Sequence, residues 1–115
     1  MKLYTNKDQT AKLIELGFEK PRDVTTKSWQ EHERDNPFIG ADTIEYIWAY
    51  SIGELIEILE EVASVVISYS YQKRGYYVRV IIPKRIGGGM YRISQTELVD
   101  ALYDMILRLK EEGEL

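Results

Sequence analysis

Leu98, Ala101, Leu102, Met105, Ile106 and Leu109 recur at intervals of three and four, the spacing that gathers side chains on one face of an α-helix. Asp100, Asp104, Arg108 and Glu111 fall outside that stripe, and Asp104 and Arg108 stand one turn apart, placed to pair. Ser94-Gln-Thr-Glu97 before the stripe reads as a capping box, and Gly113 closes the helix. A second stripe, Ile52, Leu55, Ile56, Leu59 and Val62, follows another capping box at Ser51-Ile-Gly-Glu54 and turns Glu57, Glu60 and Glu61 away from the core. A shorter stripe of Leu13, Ile14 and Leu16 predicts a helix over about 6–16. Thr5 is its expected cap, with Asp8 reaching back; Gly17 takes the left-handed position after it and Phe18 packs back on the last turn.

Between the stripes at 52–62 and 98–109 the period changes from near four to two. Val65, Ile67, Tyr69 and Tyr71 alternate with Val66, Ser68 and Ser70, and Tyr76, Val78, Val80 and Ile82 alternate with Tyr77, Arg79 and Ile81. Two such runs around Gln72-Lys-Arg-Gly75 predict a β-hairpin with Gly75 at a positive φ. Facing Tyr71 with Tyr76 sets the pairs Tyr69·Val78, Ile67·Val80 and Val65·Ile82, apolar against apolar, and leaves Ser68, Ser70, Tyr77 and Arg79 on the other face. Pro83 ends the second strand, Lys84 to Gly89 reads as a loop, and Met90 to Ile93 as a short third strand.

Glu19 to Asp42 is irregular, with Pro21, Pro37 and a polar run in which Ser28-Trp-Gln-Glu31 suggests one helical turn over 29–34. Thr43 to Tyr50 is β-branched and aromatic and reads as extended. A helix running through from Thr43 is the alternative, since Asp42-Thr-Ile-Glu45 also has a cap's spacing. The sum is one α+β domain over residues 1–115: a small antiparallel sheet packed against about three helices.

Charge sharpens this picture. Net charge is −4, yet residues 62–96 hold six basic residues and no acid, while the flanking segments are acidic. The run 71–92 interleaves its Lys and Arg with Tyr71, Tyr76, Tyr77 and Tyr91. With no Cys, disulfides and thiolate metal sites are excluded. No apolar run approaches the length of a membrane span, and the start turns polar after Tyr4, so a cytoplasmic protein without signal peptide or membrane partner is expected.

Catalytic chemistry finds little support. Gly87-Gly-Gly89 lacks the Lys-Ser or Lys-Thr and following helix of a phosphate loop, and no cofactor is expected. His32, the single histidine, sits in a polar run and reads as a surface residue rather than a ligand. Glu57, Glu60 and Glu61 read as a solvated helix face.

Two binding readings remain beside the plain one of a solvated hairpin. Lys73, Arg74, Lys84, Arg85 and Arg92 with neighbouring tyrosines form a candidate polyanion contact, because phosphates attract Lys and Arg while aromatic rings stack on bases. The inferred register weakens it by sending Tyr69, Tyr71 and Tyr76 to the core side. If helices cover one sheet face, Val66, Tyr77, Arg79 and Ile81 form an exposed strip on the other, the pattern of a protein interface. Contact with a protein partner or self-association is the preferred expectation, and a nucleic-acid accessory role the runner-up.

Ala11-Lys-Leu-Ile-Glu-Leu-Gly17, Trp48-Ala-Tyr-Ser-Ile-Gly-Glu-Leu-Ile-Glu57 and Glu97-Leu-Val-Asp-Ala-Leu-Tyr-Asp-Met-Ile106 resemble small proteins encoded in phages and integrated elements of gut Bacteroidales. The resemblance rests on helix caps and core positions. It implies a mobile-element origin and carries over no functional residue.

Overall fold

A computed structural model describes residues 2–22, 24–26, 46–83 and 89–115. Among them lie three helices, α1 (Lys7–Glu15), α2 (Ile52–Glu60) and α3 (Leu98–Glu111), and five strands. Strands β1 (Val24–Thr26) and β2 (Tyr46–Trp48) pair antiparallel, and β3 (Ser64–Ser70), β4 (Gly75–Ile82) and β5 (Gly89–Gln95) form an antiparallel sheet in that order. The fold is α+β. Helix α3 packs on α2, β4 and β5, and α2 also touches β3. Val78 and Val80 close the core from the sheet side against Leu102, Met105, Ile106 and Leu109 of α3, with Leu55, Leu59 and Leu13 from the other helices.

Helix ends follow local chemistry, with two shifts. Asn6, not Thr5, caps α1: its side chain accepts from Gln9 N–H, and the Gln9 side chain accepts from Asn6 N–H. Thr5 is buried instead. Its hydroxyl bonds that of Thr10 and accepts from Tyr50 N–H, stitching the N-terminal segment to the entry of α2. At the far end of α1, Gly17 (φ 96°) and Phe18 return N–H groups to Ile14 and Leu13, a Schellman ending that Gly permits without strain. Ser51 caps α2 as expected, accepting from Glu54 N–H. Ser94 does not cap α3. Strand β5 continues through Gln95, and Glu97 is the N-cap, its carboxylate accepting from the backbone N–H of Lys2 rather than from the helix.

The hairpin register is shifted by two residues. Observed pairs are Tyr69·Tyr76, Ile67·Val78 and Val65·Val80, with a turn over 71–74. A two-residue slip keeps every side chain on its face, so faces hold while partners change. Positive φ falls on Arg74 (49°) rather than Gly75; a Cβ on Gly75 would meet the Gln95 carbonyl oxygen at 3.1 Å, so glycine there lets β5 approach. Strand β5 is longer than the expected 90–93. Asp104 and Arg108 do not pair: Asp104 accepts from Gln95 and Arg108 pairs with Glu112. The irregular segment contains β1, residues 46–48 are extended rather than helical, and the expected turn at 29–34 lies outside the described residues.

Candidate functional site

Helices α2 and α3 lie on the β4 face that carries Val78 and Val80. Arg79 and Ile81 point the other way and are exposed. The two registers turn that outer face into a grid. Its rows across β3, β4 and β5 read Ser64–Ile81–Met90, Val66–Arg79–Arg92 and Ser68–Tyr77–Ser94. Val66 and Ile81 are each 39% exposed and Met90 58%, so one end of the grid is apolar and open.

The middle row is electrostatically unusual. Arg79 and Arg92 stand directly opposite each other, an arrangement that costs stability because like charges repel across the ladder. Among the described residues no carboxylate forms an ion pair with either. The Arg92 guanidinium lies 4.4 Å from the Tyr77 ring centroid, and Lys73 Nζ approaches the same ring at 5.9 Å. Cation–π attraction thus holds two cations over one tyrosine. Beside them Lys73, Gly75, Tyr77, Ser94, Gln95 and Thr96 line a shallow depression of about 250 Å³.

The structure brings the described members of both expected residue sets onto one surface. Val66, Tyr77, Arg79 and Ile81 of the expected interface share one surface with Arg92 and Lys73 of the expected polyanion contact. Arg74 is exposed in the turn beyond them, while Lys84 and Arg85 lie outside the described residues, as does His32. Met90 joins the surface unpredicted; only the β4–β5 register places it opposite Ile81. Tyr69 and Tyr71, expected to face the core, are 44% and 87% exposed because they lie outside the hydrophobic cluster.

A second concavity of about 340 Å³ lies among Phe18, Glu19, Arg22, Tyr50, Glu54 and Glu57. Glu54 is buried; it accepts from Arg22 N–H and faces Arg22 Nε at 3.6 Å, while the Arg22 guanidinium also pairs with Glu57. Tyr50 donates its hydroxyl to the Glu19 carbonyl, and burial, then the Glu54 charge, raises its pKa. This cleft is occupied by its own ion pairs and reads as a structural clasp. Its sequence signal was slight, since Glu54 looks like part of a cap.

Among the described residues no group of three His, Cys, Asp or Glu side chains is arranged to hold a metal, and no helix is long and apolar enough to cross a membrane. Comparison with protein-family models, with curated proteins and with solved structures finds no match.

Proposed function

We propose that the chain is a non-catalytic binding module whose outer sheet face docks a protein partner offering apolar side chains beside carboxylates. The contiguity of Val66, Ile81 and Met90 with the opposed Arg79 and Arg92 carries this reading. Burying what remains exposed of the three apolar side chains contributes on the order of 1 kcal/mol each, a term that salt does not screen. A carboxylate between the two guanidiniums relieves their repulsion and accepts two charge-assisted hydrogen bonds. The mobile-element origin implied by the resemblance and a cytoplasmic setting belong to the same proposal.

A nucleic-acid accessory role is the second reading, supported by the gathering of the Arg92 and Lys73 cations about the Tyr77 ring. Fluorescence anisotropy separates the two, using an acidic leucine-rich peptide and a mixed-sequence single-stranded oligonucleotide as probes. Protein docking expects the peptide to bind at raised salt and to lose affinity on either Ile81→Asp or Arg79→Glu. Oligonucleotide binding indifferent to Ile81→Asp, with a log-affinity against log-salt slope of about −1 to −2 for two phosphate contacts, would select the second reading. Failure of both probes sinks the proposal.

A further inference from the structure

Strand β3 forms one edge of the sheet: among the described residues its strand neighbour is β4 alone. Edge strands expose alternate backbone N–H and C=O groups, and proteins ordinarily blunt them with charge, proline, bulges or brevity. β3 has none of these. Its seven residues, Ser-Val-Val-Ile-Ser-Tyr-Ser, contain no charge and no proline, and they pair with β4 without a break from Ser64 to Ser70. The opposite edge, β5, carries Arg92.

Side chains along β3 reinforce the point. Ile67 is 38% and Tyr69 44% exposed, and neither belongs to the hydrophobic core although both share the inner face with Val65. Tyr69 packs edge-on against Tyr71 at 5.1 Å and in a tilted arrangement against Tyr76 at 4.9 Å, so an aromatic cluster continues past the strand towards the hairpin tip. Apolar side chains on an unguarded edge fit an occupant that brings its own strand.

We infer that the occupant is a second copy of this chain, with β3 pairing antiparallel to β3 about a two-fold axis through Ile67. The sequence of the strand is self-complementary in this register. Ile67 meets Ile67, Val65 meets Tyr69 and Ser64 meets Ser70, while Val66 meets Ser68 on the outer face. β-Branched against aromatic is a favourable cross-strand pair, and no like charges are opposed. A two-fold contact of this kind closes on itself, so it yields a dimer with a six-stranded sheet and no open filament. The net charge of −4 per chain opposes association at long range, but salt screens that beyond about 8 Å. This inference concerns the strand edge and the inner face, and it stands independently of the docking proposed for the outer face.

Charge placed on the axis tests it, because Ile67→Lys and Ile67→Glu each oppose like charges in a homodimer. Sedimentation velocity over a wide concentration range is expected to show a wild-type dimer. Either variant weakens it about tenfold or more, and an equimolar mixture of the two restores association as a heterodimer. Circular dichroism on each variant separates a lost interface from a lost fold, and restoration in the mixture does so again. Ile67→Cys in this cysteine-free chain adds a geometric test. Opposed residues of an antiparallel pair lie about 4.5–5.5 Å apart at Cα, within disulfide range, so oxidation should cross-link it, while Ser64→Cys, displaced from the axis, should not. A wild type that stays monomeric, an association indifferent to charge at Ile67, or equal cross-linking of both cysteine variants would overturn the inference.

Discussion

Arg79 faces Arg92 across β4 and β5, and Arg92 also lies over the Tyr77 ring. Two guanidiniums held together repel, so Arg79→Thr should stabilise the fold by a few tenths to about 0.5 kcal/mol and make its denaturation midpoint less sensitive to salt. Urea titrations at two ionic strengths check both outcomes. Caps give a contrast of the opposite kind. Ser51 accepts from Glu54 N–H and Asn6 from Gln9 N–H, so Ser51→Ala and Asn6→Ala should each cost about 1 kcal/mol. Ser94 lies exposed in β5 outside any cap, so Ser94→Ala should change stability by less than about 0.5 kcal/mol in the same titration. At this scale the motif S-x-x-E was legible, but its role was not. The four residues 94–97 satisfy the spacing, yet continued pairing of Ser94 with Tyr77 and of Gln95 with Tyr76 holds them extended.

Helix α3 organises the fold: it packs on α2 and on two strands, and it carries seven buried residues. Leu102→Ala leaves a cavity at a fully buried position and should cost about 2–5 kcal/mol, read as a lowered denaturation midpoint with an unchanged slope. The same helix is tied to the N-terminal segment by a polar network. Lys2 Nζ donates to Asp100 at 2.7 Å and to Gln9 Oε1 at 3.0 Å, and Gln9 Nε2 donates to Asp100 at 2.8 Å. Burial alone would raise the Asp100 pKa, but hydrogen bonds from Lys2 and Gln9 outweigh it and hold the carboxyl below its ordinary value. A lowered folded-state pKa stabilises the protein above the unfolded value and is lost as pH falls through the folded one. Asp100→Asn should therefore cost about 1 kcal/mol or less at neutral pH, and its deficit against wild type should shrink in acid and vanish once pH has fallen through the lowered folded-state pKa. Stability measured from neutral pH into acid on both proteins tests the sign. Sequence placed Asp100 outside the apolar stripe correctly, and nothing local could connect it to Lys2 or Gln9.

Across the whole molecule, the acid-free segment 62–96 supplies the described three-stranded sheet, and every acid lies in the flanking segments 1–61 and 97–115. One face of that sheet holds the core; the other is exposed and rich in Arg and apolar side chains. If the outer face serves binding rather than folding, Val66→Ser, Ile81→Thr and Met90→Ser combined should leave circular dichroism unchanged. The expected destabilisation is about 1 kcal/mol or less in total, since surface substitutions of this kind act weakly. A loss of cooperative unfolding would instead place those residues in the fold's own support. The α+β class, the three helical stripes, the hairpin, the inner and outer faces of its strands and the segregation of charge are all legible along the chain. Each of these follows from a periodicity or a composition that is local along the chain. Contacts between distant segments set the rest: the two-residue shift in the hairpin, the start of α3 after Gln95, the pairing of β1 with β2, the burial of Glu54 beside Arg22, and the opposition of Arg79 to Arg92. The physical reason is a symmetry of the strand. Slipping by one residue exchanges the faces and is forbidden by the core, whereas slipping by two preserves them, so the apolar pattern cannot distinguish such registers. The turn over 71–74 selects among them for β3 and β4, and the β4–β5 register brings the charged and apolar residues of the outer face into one surface.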